Sequence, residues 1–366
     1  MKKFGALLQK IRVRDVIIPN RLALAPVNTS YTTSSNHVSD RLLRFHETIA
    51  SGGIGLSIIG STGVAQSGQV NPNGLMLHTD QHMIGLEKLF RTIKRQGSVA
   101  AIQLMHAGRQ THSAIAGSTP VAPSSLPCPV IQEIPHELTV GEILDIEEQF
   151  AQAAYRAVSA GAEIIEIHGA HGYLVGEFVS PYSNKRQDRY GGSLANRLRF
   201  PLEVIEKVRE KVGNTVPIMY RHSADEFVES GISLADSLAI APALVAAGVD
   251  IISVSAGIYA SRLRIIPPHD YGSAVYAGLA RAIKQVVEVP VAVAGNIWDL
   301  ETANRIVAEG YADIVAIARA LIADPLLVTK TLSGKTQQMV KCTGCGICDY
   351  GPRGEPYMTC SVNPDL

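Results

Sequence analysis

A group of cysteines near the carboxyl end of the chain is the part of the sequence best suited to chemistry. Cys342, Cys345, Cys348 and Cys360 follow the spacing C-x2-C-x2-C-x11-C, and the 366-residue chain has only one other cysteine, Cys128. Four thiolates can hold an iron–sulfur cluster, whereas zinc sites usually consist of two separated C-x2-C pairs. A disulfide framework is typical of small secreted domains rather than of a chain of this length. The spacing favours an iron–sulfur cluster and leaves zinc as the alternative.

Polar residues at the ends of apolar runs form a second set of candidates. Short apolar segments stop at or just before Asn28, Ser61, Gln103, His168, His171, Tyr173, Arg221, Tyr259, Gly295, Asn296 and Arg319. Each residue alone could be structural, because buried polar groups are commonly satisfied within the core. Arg221, for example, could pair with a following carboxylate such as Asp225. Together they predict a ligand site, since so many polar groups at equivalent positions suit a binding pocket.

Three of these residues have the arrangement of a phosphate site. Gly295 and Asn296 follow one apolar run, and Arg319 follows the next. In many α/β barrels, backbone N–H groups and a cation near strands seven and eight hold a phosphate. We therefore expect an electron-deficient ring with a phosphate tail to lie across the site, with Gln103 and Arg221 at the polar edge of the ring.

The elements that must position these residues form a repeating pattern. Apolar runs occur at 21–26, 53–62, 99–106, 162–168, 217–223, 249–257, 289–296 and 312–319. Helix-like segments such as 147–161, 197–213 and 298–310 separate them, and each of these segments ends in glycine. Eight strands alternating with helices predict a (β/α)8 TIM barrel. A doubly wound open sheet is the alternative, but no G-x-G-x-x-G follows a strand.

Two segments depart from this alternation, and a third follows the barrel. Residues 1–20 alternate like a hairpin that would cap the amino-terminal end of the barrel, and 109–139 is a Pro-, Ser- and Gly-rich loop expected over its mouth. We expect residues 1–335 to form the barrel, and residues 336–366 to form a cluster-binding segment packed on it. In such a barrel the strand ends meet at one mouth, where the polar residues would lie together.

Charge and hydropathy exclude several classes of partner. Lys+Arg and Asp+Glu both number 33, so neither nucleic acid nor an anionic membrane is expected to bind. The apolar stretch in the first ten residues is too short for a signal peptide. Residues 240–260 have the length of a membrane span, but Pro242 and the turn Ala247-Gly248 favour a helix, a turn and a strand. We expect a cytoplasmic protein that acts on a small molecule, alone or as a homo-oligomer.

One long segment of the sequence resembles the signature of a known enzyme family. Residues 168–205, "HGAHGYLVGEFVSPYSNKRQDRYGGSLANRLRFPLEVI", resemble the signature of the old yellow enzyme family of FMN-dependent ene-reductases. "RLALAP", "QLMHAGRQ" and "VAIARALIADP" fall where that family has its corresponding segments. The resemblance implies FMN as cofactor and, as substrate, an activated C=C bond in an enoyl or dienoyl thioester, an enoate or an enone.

The resemblance also implies a role for each matched residue. Tyr173 would donate a proton to the substrate carbon, while His168 and His171 would hold its carbonyl oxygen. Tyr259 matches loosely a second acid of the dienoyl-CoA reductases. The residues matching cofactor contacts are Pro26, Asn28 and Ser61 near the first two strand ends, Gln103 and Arg221 at the flavin's pyrimidine edge, and Gly295, Asn296, Ala318 and Arg319 at its phosphate.

The four cysteines resemble those of a subgroup typified by 2,4-dienoyl-CoA reductase and trimethylamine dehydrogenase. That subgroup carries one [4Fe-4S] cluster just after the barrel, and its chains continue into domains that bind FAD or ADP and a nicotinamide cofactor. Since this sequence ends at Leu366, either it is a truncated form of such a longer chain or a separate donor protein or subunit feeds the cluster. We expect the separate donor, with direct reduction by NADH or NADPH as a further alternative. An FMN dehydrogenase or demethylase that sends electrons outward, or an electron-transfer subunit without its own substrate, would be the rival functions.

Two departures from the subgroup narrow these expectations. Asn28 stands where relatives have threonine or cysteine, so a covalent flavin link at this position is excluded and Asn28 is expected to donate to the flavin O4. The chain has 5% aromatic residues and one tryptophan, Trp298, so an aromatic cage for a cationic substrate is not expected.

Overall fold

An eight-stranded parallel barrel forms the centre of the protein in a computed structural model, which describes residues 3–349 and 356–365. The strands, β1 to β8 in chain order, are Leu22–Leu24, Leu56–Gly63, Val99–Met105, Ile164–Gly169, Ile218–Ser223, Ile251–Ser255, Val291–Val293 and Ile314–Ile317. Each strand pairs in parallel with the next, and β8 pairs with β1. The predicted barrel is confirmed, and the open sheet is excluded.

Helices alternate with these strands along the chain. Within the described residues the α-helices, α1 to α12 in chain order, are Asp40–Ser51, Met83–Arg95, Ser113–Ala116, Val140–Ser159, Leu174–Val179, Leu194–Val212, Leu234–Ala246, Arg262–Ile265, Ala277–Lys284, Leu300–Ala308, Arg319–Ala323 and Leu327–Leu332. Capping boxes at Thr139 and Ser233 start α4 and α7. The three glycines predicted to end helices, Gly161, Gly213 and Gly310, all have positive φ.

The inward-facing residues of the strands change from apolar to polar towards the mouth. Because side chains alternate along a strand, every second residue faces the interior. The inward series of β3 to β6 are Val99, Ala101 and Gln103; Ile164, Glu166 and His168; Met219, Arg221 and Ser223; and Ile251, Ser253 and Ser255. The apolar residues fill the barrel from below, and the polar residues form the floor of an open mouth.

A hairpin closes the other end of the barrel, as the alternation in the first residues predicted. Its antiparallel strands are Ile11–Val13 and Val16–Ile18. Val13 and Ile18 are buried in the same apolar cluster as the barrel interior. The hairpin therefore seals the amino-terminal ends of the strands and leaves the opposite mouth as the open end.

The loop 109–139 lies over the mouth, as its composition suggested. It contains α3 and a short pair of strands, Val121–Ala122 and His136–Glu137, and it places Ile115 and Ile131 against the cavity there. Leu75–Met76 adds a short strand beside β2.

The apolar stretch 240–260 forms the end of α7, a turn and then β6, as its sequence predicted. Among the described helices, none is long and apolar enough to span a bilayer. That stretch is therefore apolar because β6 is fully buried and one side of α7 is buried.

The segment after residue 335 docks onto the mouth side of the barrel. Tyr31 Oη donates a hydrogen bond to the Met358 carbonyl at 2.7 Å, and the Met358 N–H donates to the Thr29 carbonyl at 2.9 Å. Asn363 Nδ2 donates to the Ile322 carbonyl at 2.8 Å, and the Met358 side chain is fully buried. These contacts bring the cysteine-bearing segment to the ends of β1 and β8. Part of the predicted cluster segment, 350–355 and residue 366, lies outside the described residues.

Candidate active site

One cavity of about 700 Å³ occupies the barrel mouth. It is lined by all twelve residues predicted for catalysis and cofactor binding: Pro26, Asn28, Ser61, Gln103, His168, His171, Tyr173, Arg221, Gly295, Asn296, Ala318 and Arg319. Tyr259 and Cys348 line it as well. The strand ends thus bring together residues that are far apart in the chain.

Gln103, Glu166 and Arg221 form a buried polar group on the cavity floor. Gln103 Nε2 donates to Glu166 Oε2 at 2.7 Å, which leaves the amide oxygen of Gln103 as the acceptor for a ligand. Burial raises the pKa of Glu166, while the charge of Arg221 opposes that shift. Within residues 3–349 and 356–365, the hydrogen bonds found for Arg221 are long contacts of 3.5 Å with the hydroxyls of Ser253 and Ser255, besides its charge interaction with Glu166. A buried guanidinium with such weak partners is suited to stabilise negative charge on a ligand.

Gly60 keeps the space beside Gln103 open. A Cβ at this position would lie 2.8 Å from Pro26 Cβ and 3.1 Å from Gln103 Oε1. Any other residue would therefore push against both predicted ligand contacts. The close approach explains why glycine stands in the middle of the apolar strand β2.

His168 faces the cavity as a neutral hydrogen-bond donor. The Ala170 N–H donates to His168 Nδ1 at 3.2 Å, so the proton of the neutral ring is on Nε2. Burial, and then the charge of Arg221, hold the pKa of His168 well below its ordinary value. The ring therefore presents an N–H rather than a positive charge.

His171 is fixed by serines from the two following strands. Its backbone N–H donates to Ser223 Oγ at 2.9 Å, and its Nε2 lies 2.7 Å from Ser255 Oγ. Its φ of 60° places it in the left-handed region, which few non-glycine residues adopt. Burial first, then Arg221 and His168, lower the pKa of His171 well below its ordinary value. The two imidazoles lie edge to face, 5.1 Å apart between ring centroids.

Tyr173 lies beside these histidines, immediately before helix α5. Its ring centroid is 4.9 Å from that of His168, in an edge-to-face arrangement. Its hydroxyl lies 3.2 Å from the hydroxyl of Tyr259, which reaches the cavity from the loop after β6. A phenol and two imidazole rings thus converge on one part of the cavity.

The predicted phosphate turn lies at the far side of the cavity. Gly295 and Asn296 both have positive φ, 129° and 50°, and a Cβ on Gly295 would come 2.6 Å from the Tyr276 ring. Asn296 does not present its side chain to a ligand: its Nδ2 donates to the carbonyls of residues 268 and 272, and its Oδ1 accepts from Arg319. The Arg319 guanidinium lies 4.7 Å from the Trp298 ring centroid. Asn296 therefore shapes the turn and orients the arginine.

The four cysteines lie near one another beside this arginine. The pKa of the Cys348 thiol is raised to about 11, chiefly by burial; the charge of Arg319 opposes this shift, and the neighbouring Cys342 and Cys360 contribute to it. Cys345 is exposed, and its Sγ lies 3.1 Å from Ser361 Oγ. The donor set suits an iron–sulfur cluster. However, among residues 3–349 and 356–365 no three His, Cys, Asp or Glu side chains are arranged as a metal site.

Comparison with known proteins decides the family. The profile of the NADH:flavin oxidoreductase / NADH oxidase family matches residues 6–338. The chain belongs to this family. It is 41% identical to an NADH oxidase of Thermoanaerobacter brockii, over 100% of this chain and 56% of that protein. It is 35% identical to an NADPH dehydrogenase of Clostridium acetobutylicum, over 86% of this chain and 91% of that protein.

A solved structure similar to this chain extends the comparison to the cysteine segment. The complex of 2-naphthoyl-CoA reductase with 2-naphthoyl-CoA superposes with a TM-score of 0.94 at 28% identity, over 99% of this chain and 57% of that one. The chain therefore spans little more than half the length of this relative and of the NADH oxidase.

The residues at the barrel mouth fit an FMN, the cofactor of the family to which the chain belongs. The cavity has the volume of a cofactor pocket, and its floor offers the Gln103 acceptor and the Arg221 cation. At the other side, a glycine turn and Arg319 offer donors and positive charge for a phosphate. The observations thus agree with a flat polar ring at one side and a phosphate at the other.

The sequence alone did not identify Glu166, Gly60 or Ser255 as parts of the site. Glu166 precedes His168 by two residues, so period-two alternation on β4 could have placed it on the same inner face. Ser255 contacts His171 from two strands away, and no local pattern could have shown that pairing.

Proposed function

We propose that this protein is an FMN-dependent reductase of activated C=C bonds in an enoyl or dienoyl thioester, an enoate or an enone. The observation that carries the proposal is the convergence of His168, His171 and Tyr173 in the cavity that also contains Arg221 and Gln103. An electron-transfer subunit without a substrate would need neither paired carbonyl-binding donors nor an acid.

The two imidazoles are suited to bind the carbonyl oxygen of the substrate. Addition of hydride to the β-carbon of a conjugated alkene moves negative charge to that oxygen, and preorganised donors stabilise it. His168 offers Nε2–H, because its Nδ1 accepts from the Ala170 N–H. His171 is held by Ser223 and Ser255, so it loses little freedom when a ligand binds.

Tyr173 is suited to deliver the proton to the α-carbon. Its phenol lies beside the His168 ring, so it faces the same end of a bound substrate. A phenol is a competent acid towards an enolate carbon. Bound FMN would supply the hydride from its ring, held by Gln103 and Arg221 on the cavity floor, and its phosphate would lie at the turn of Gly295 and Arg319. Pro26, Asn28, Ser61 and Ala318 would complete the walls around it.

We also propose how electrons reach the FMN and which residues form the barrel and the cluster-binding segment. Residues 1–335 would form the FMN barrel, and 336–366 a segment in which Cys342, Cys345, Cys348 and Cys360 hold a [4Fe-4S] cluster. The cluster would receive electrons from a donor outside this chain. Support comes from the C-x2-C-x2-C-x11-C spacing and from the position of Cys348 at the cavity wall. The relatives named NADH oxidase and NADPH dehydrogenase support NADH or NADPH as the alternative source.

The 2-naphthoyl-CoA reductase relative supports a thioester among the substrate classes, because its ligand is a CoA thioester.

The test of the proposed function is an anaerobic incubation of the FMN-loaded chain with a cyclic enone, an enoate or an enoyl thioester. Reduced methyl viologen, NADH or NADPH serves as donor, and the saturated product is quantified. We expect saturated product with reduced viologen, whereas no product from any alkene would contradict the proposal. Rapid bleaching of the flavin by NADH or NADPH alone would contradict the proposal that electrons come from a donor outside this chain.

A further inference from the structure

Tyr259 is joined to the proposed proton donor on one side and to the cysteine segment on the other. Its hydroxyl lies 3.2 Å from Tyr173 Oη. The Arg262 guanidinium lies 5.5 Å from its ring centroid. Arg262 Nη2 in turn lies 2.7 and 2.8 Å from the two carboxylate oxygens of Asp349. Tyr259, Arg262 and Asp349 all line the cavity, and Asp349 directly follows Cys348.

The loop that carries Tyr259 is fixed independently of these contacts. The Ile258 N–H donates to Ser261 Oγ at 2.9 Å, and Ser261 Oγ donates to the Glu226 carbonyl at 2.6 Å. Tyr259 therefore keeps its place next to Tyr173 even when the Arg262–Asp349 pair is altered. Substitutions in that pair should change the electrostatics of the tyrosines more than their positions.

Among the described residues, the titratable or charged groups that act most strongly on the Tyr259 phenol are Tyr173, Arg262, Cys128 and Asp349. Burial raises the pKa of Tyr259 above its ordinary value. The Tyr173 hydrogen bond and the charge of Arg262 lower that pKa, whereas Cys128 and Asp349 raise it. The two members of the ion pair thus act on the phenol in opposite directions.

We propose that Tyr259 is the proton partner of Tyr173, and that the Arg262–Asp349 pair, whose acidic member belongs to the cysteine segment, sets how readily Tyr259 gives up its proton. When the Tyr173 O–H bond breaks and the α-carbon gains its C–H bond, Tyr173 becomes a phenolate. The Tyr259 hydroxyl donates to that phenolate and passes its proton to it, the negative charge moves to Tyr259 beside Arg262, and solvent returns the proton. Tyr259 is thus a positioning residue that acts through Tyr173. This inference rests on the proposed function.

The opposite effects of the two charges give a test that needs no turnover. The FMN-loaded full chain is labelled with 3-fluorotyrosine, and the ¹⁹F signals are titrated with pH. Its twelve tyrosines make assignment necessary, and Tyr259→Phe and Tyr173→Phe provide it. Asp349→Asn should lower the apparent pKa of residue 259, and Arg262→Gln should raise it. Shifts in the same direction, or none in either variant, would overturn the proposal.

The rate of the step supplies a second readout. Tyr259→Phe should slow reoxidation of the reduced flavin by an enone about tenfold, because a hydrogen bond to a charged group is lost. Arg262→Lys should keep most of the reoxidation rate. Arg262→Gln should lose most of that rate, and the alkaline limb of its pH profile should shift to higher pH. Tyr155→Phe, on the exposed face of α4, is the control.

If Tyr259→Phe reacts at the wild-type rate at all pH values, the inference fails while the proposed function stands. If the wild type reduces no alkene, the proposed function fails and the ¹⁹F titration still tests the ion pair.

Discussion

Tyr173 is the residue on which the proposed chemistry depends most specifically. Tyr173→Phe removes the acid but keeps the ring beside His168, so FMN should still bind and accept electrons. Turnover of an activated alkene should fall by about 10²- to 10⁴-fold, the usual contribution of a general acid. Stopped-flow measurement of both half-reactions checks this, with Tyr155→Phe as the matched surface control. An unchanged oxidative half-reaction would remove Tyr173 as the proton donor.

His168 and His171 should act without changing charge between pH 5.5 and 8. The pKa of each is held well below 6.5, chiefly by burial, so both rings stay neutral throughout this range. The dissociation constant of cyclohexanone, followed by the flavin spectrum, should therefore stay constant over this range. His168→Gln should weaken binding and keep the flat profile. An affinity that changes about tenfold per pH unit near 6.5 would mean that an imidazole titrates there.

The positions of the site residues could be predicted from the sequence where the geometry of the barrel decides them. His168, Arg221 and Gln103 could be grouped because parallel strands of a barrel end at one mouth. The contacts that set their chemistry could not be predicted, since the Ala170 N–H on His168 Nδ1 and the hydroxyl of Ser255 at His171 depend on loop and strand geometry. Nothing in the sequence indicated that the Asn296 side chain binds the carbonyls of residues 268 and 272 and so shapes the predicted phosphate turn.

At the scale of elements, the eight strands were predictable and their lengths were not. The run at 289–296 forms only the strand Val291–Val293. Pro290 has no N–H for a ladder, and from Gly295 the backbone turns into the left-handed region to form the predicted phosphate turn. The strand is short because its end is part of the proposed site.

Strand β5 and helix α7 share a buried histidine that should make their packing acid-sensitive. His222 Nε2 donates to Ser237 Oγ at 2.8 Å, since that hydroxyl itself donates to the Ala224 carbonyl. Burial lowers the pKa of His222 to about 4. Between pH 6.5 and 4 the unfolded chain binds this proton and the folded chain does not, so stability falls as pH falls.

The variant His222→Gln isolates this effect. From pH 7 to pH 4.5 the wild type should lose about 2–3 kcal/mol more unfolding free energy than His222→Gln, given about 1.4 kcal/mol for each unit of pKa shift. Urea unfolding of both proteins at the two pH values measures the difference. Parallel losses in the two proteins would show that His222 is already protonated in the fold or does not titrate.

At the scale of the whole molecule, the cysteine segment and the barrel form one site. The segment is attached through Tyr31 and Met358 near β1 and through Arg262 and Asp349 at the mouth. The four thiols and their spacing could be read from the sequence. Their docking could not, because the partners lie hundreds of residues away or on loops without a local signal, as Tyr31 and Met358 do.

The chain offers a matched pair of variants for the cluster. Purified anaerobically, the wild type should contain about four iron and four sulfide per chain, as a [4Fe-4S] centre requires. Cys348→Ser should lose most of that iron, while Cys128→Ser, at a buried cysteine of the mouth loop, should keep it. Metal and acid-labile sulfide analyses, with the visible spectrum, check this. Zinc in place of iron and sulfide, or equal metal in both variants, would contradict the cluster.

The most direct test of the central claim is the oxidative half-reaction of the FMN-loaded chain. The flavin is reduced anaerobically with dithionite and mixed with 2-cyclohexenone in a stopped-flow spectrometer, while absorbance near 450 nm is recorded and the product is identified. Our account predicts that the oxidised flavin returns at a rate that saturates with enone concentration, with one saturated ketone formed per flavin. A flavin that stays reduced with the enone, and is reoxidised only when oxygen is admitted, would contradict it.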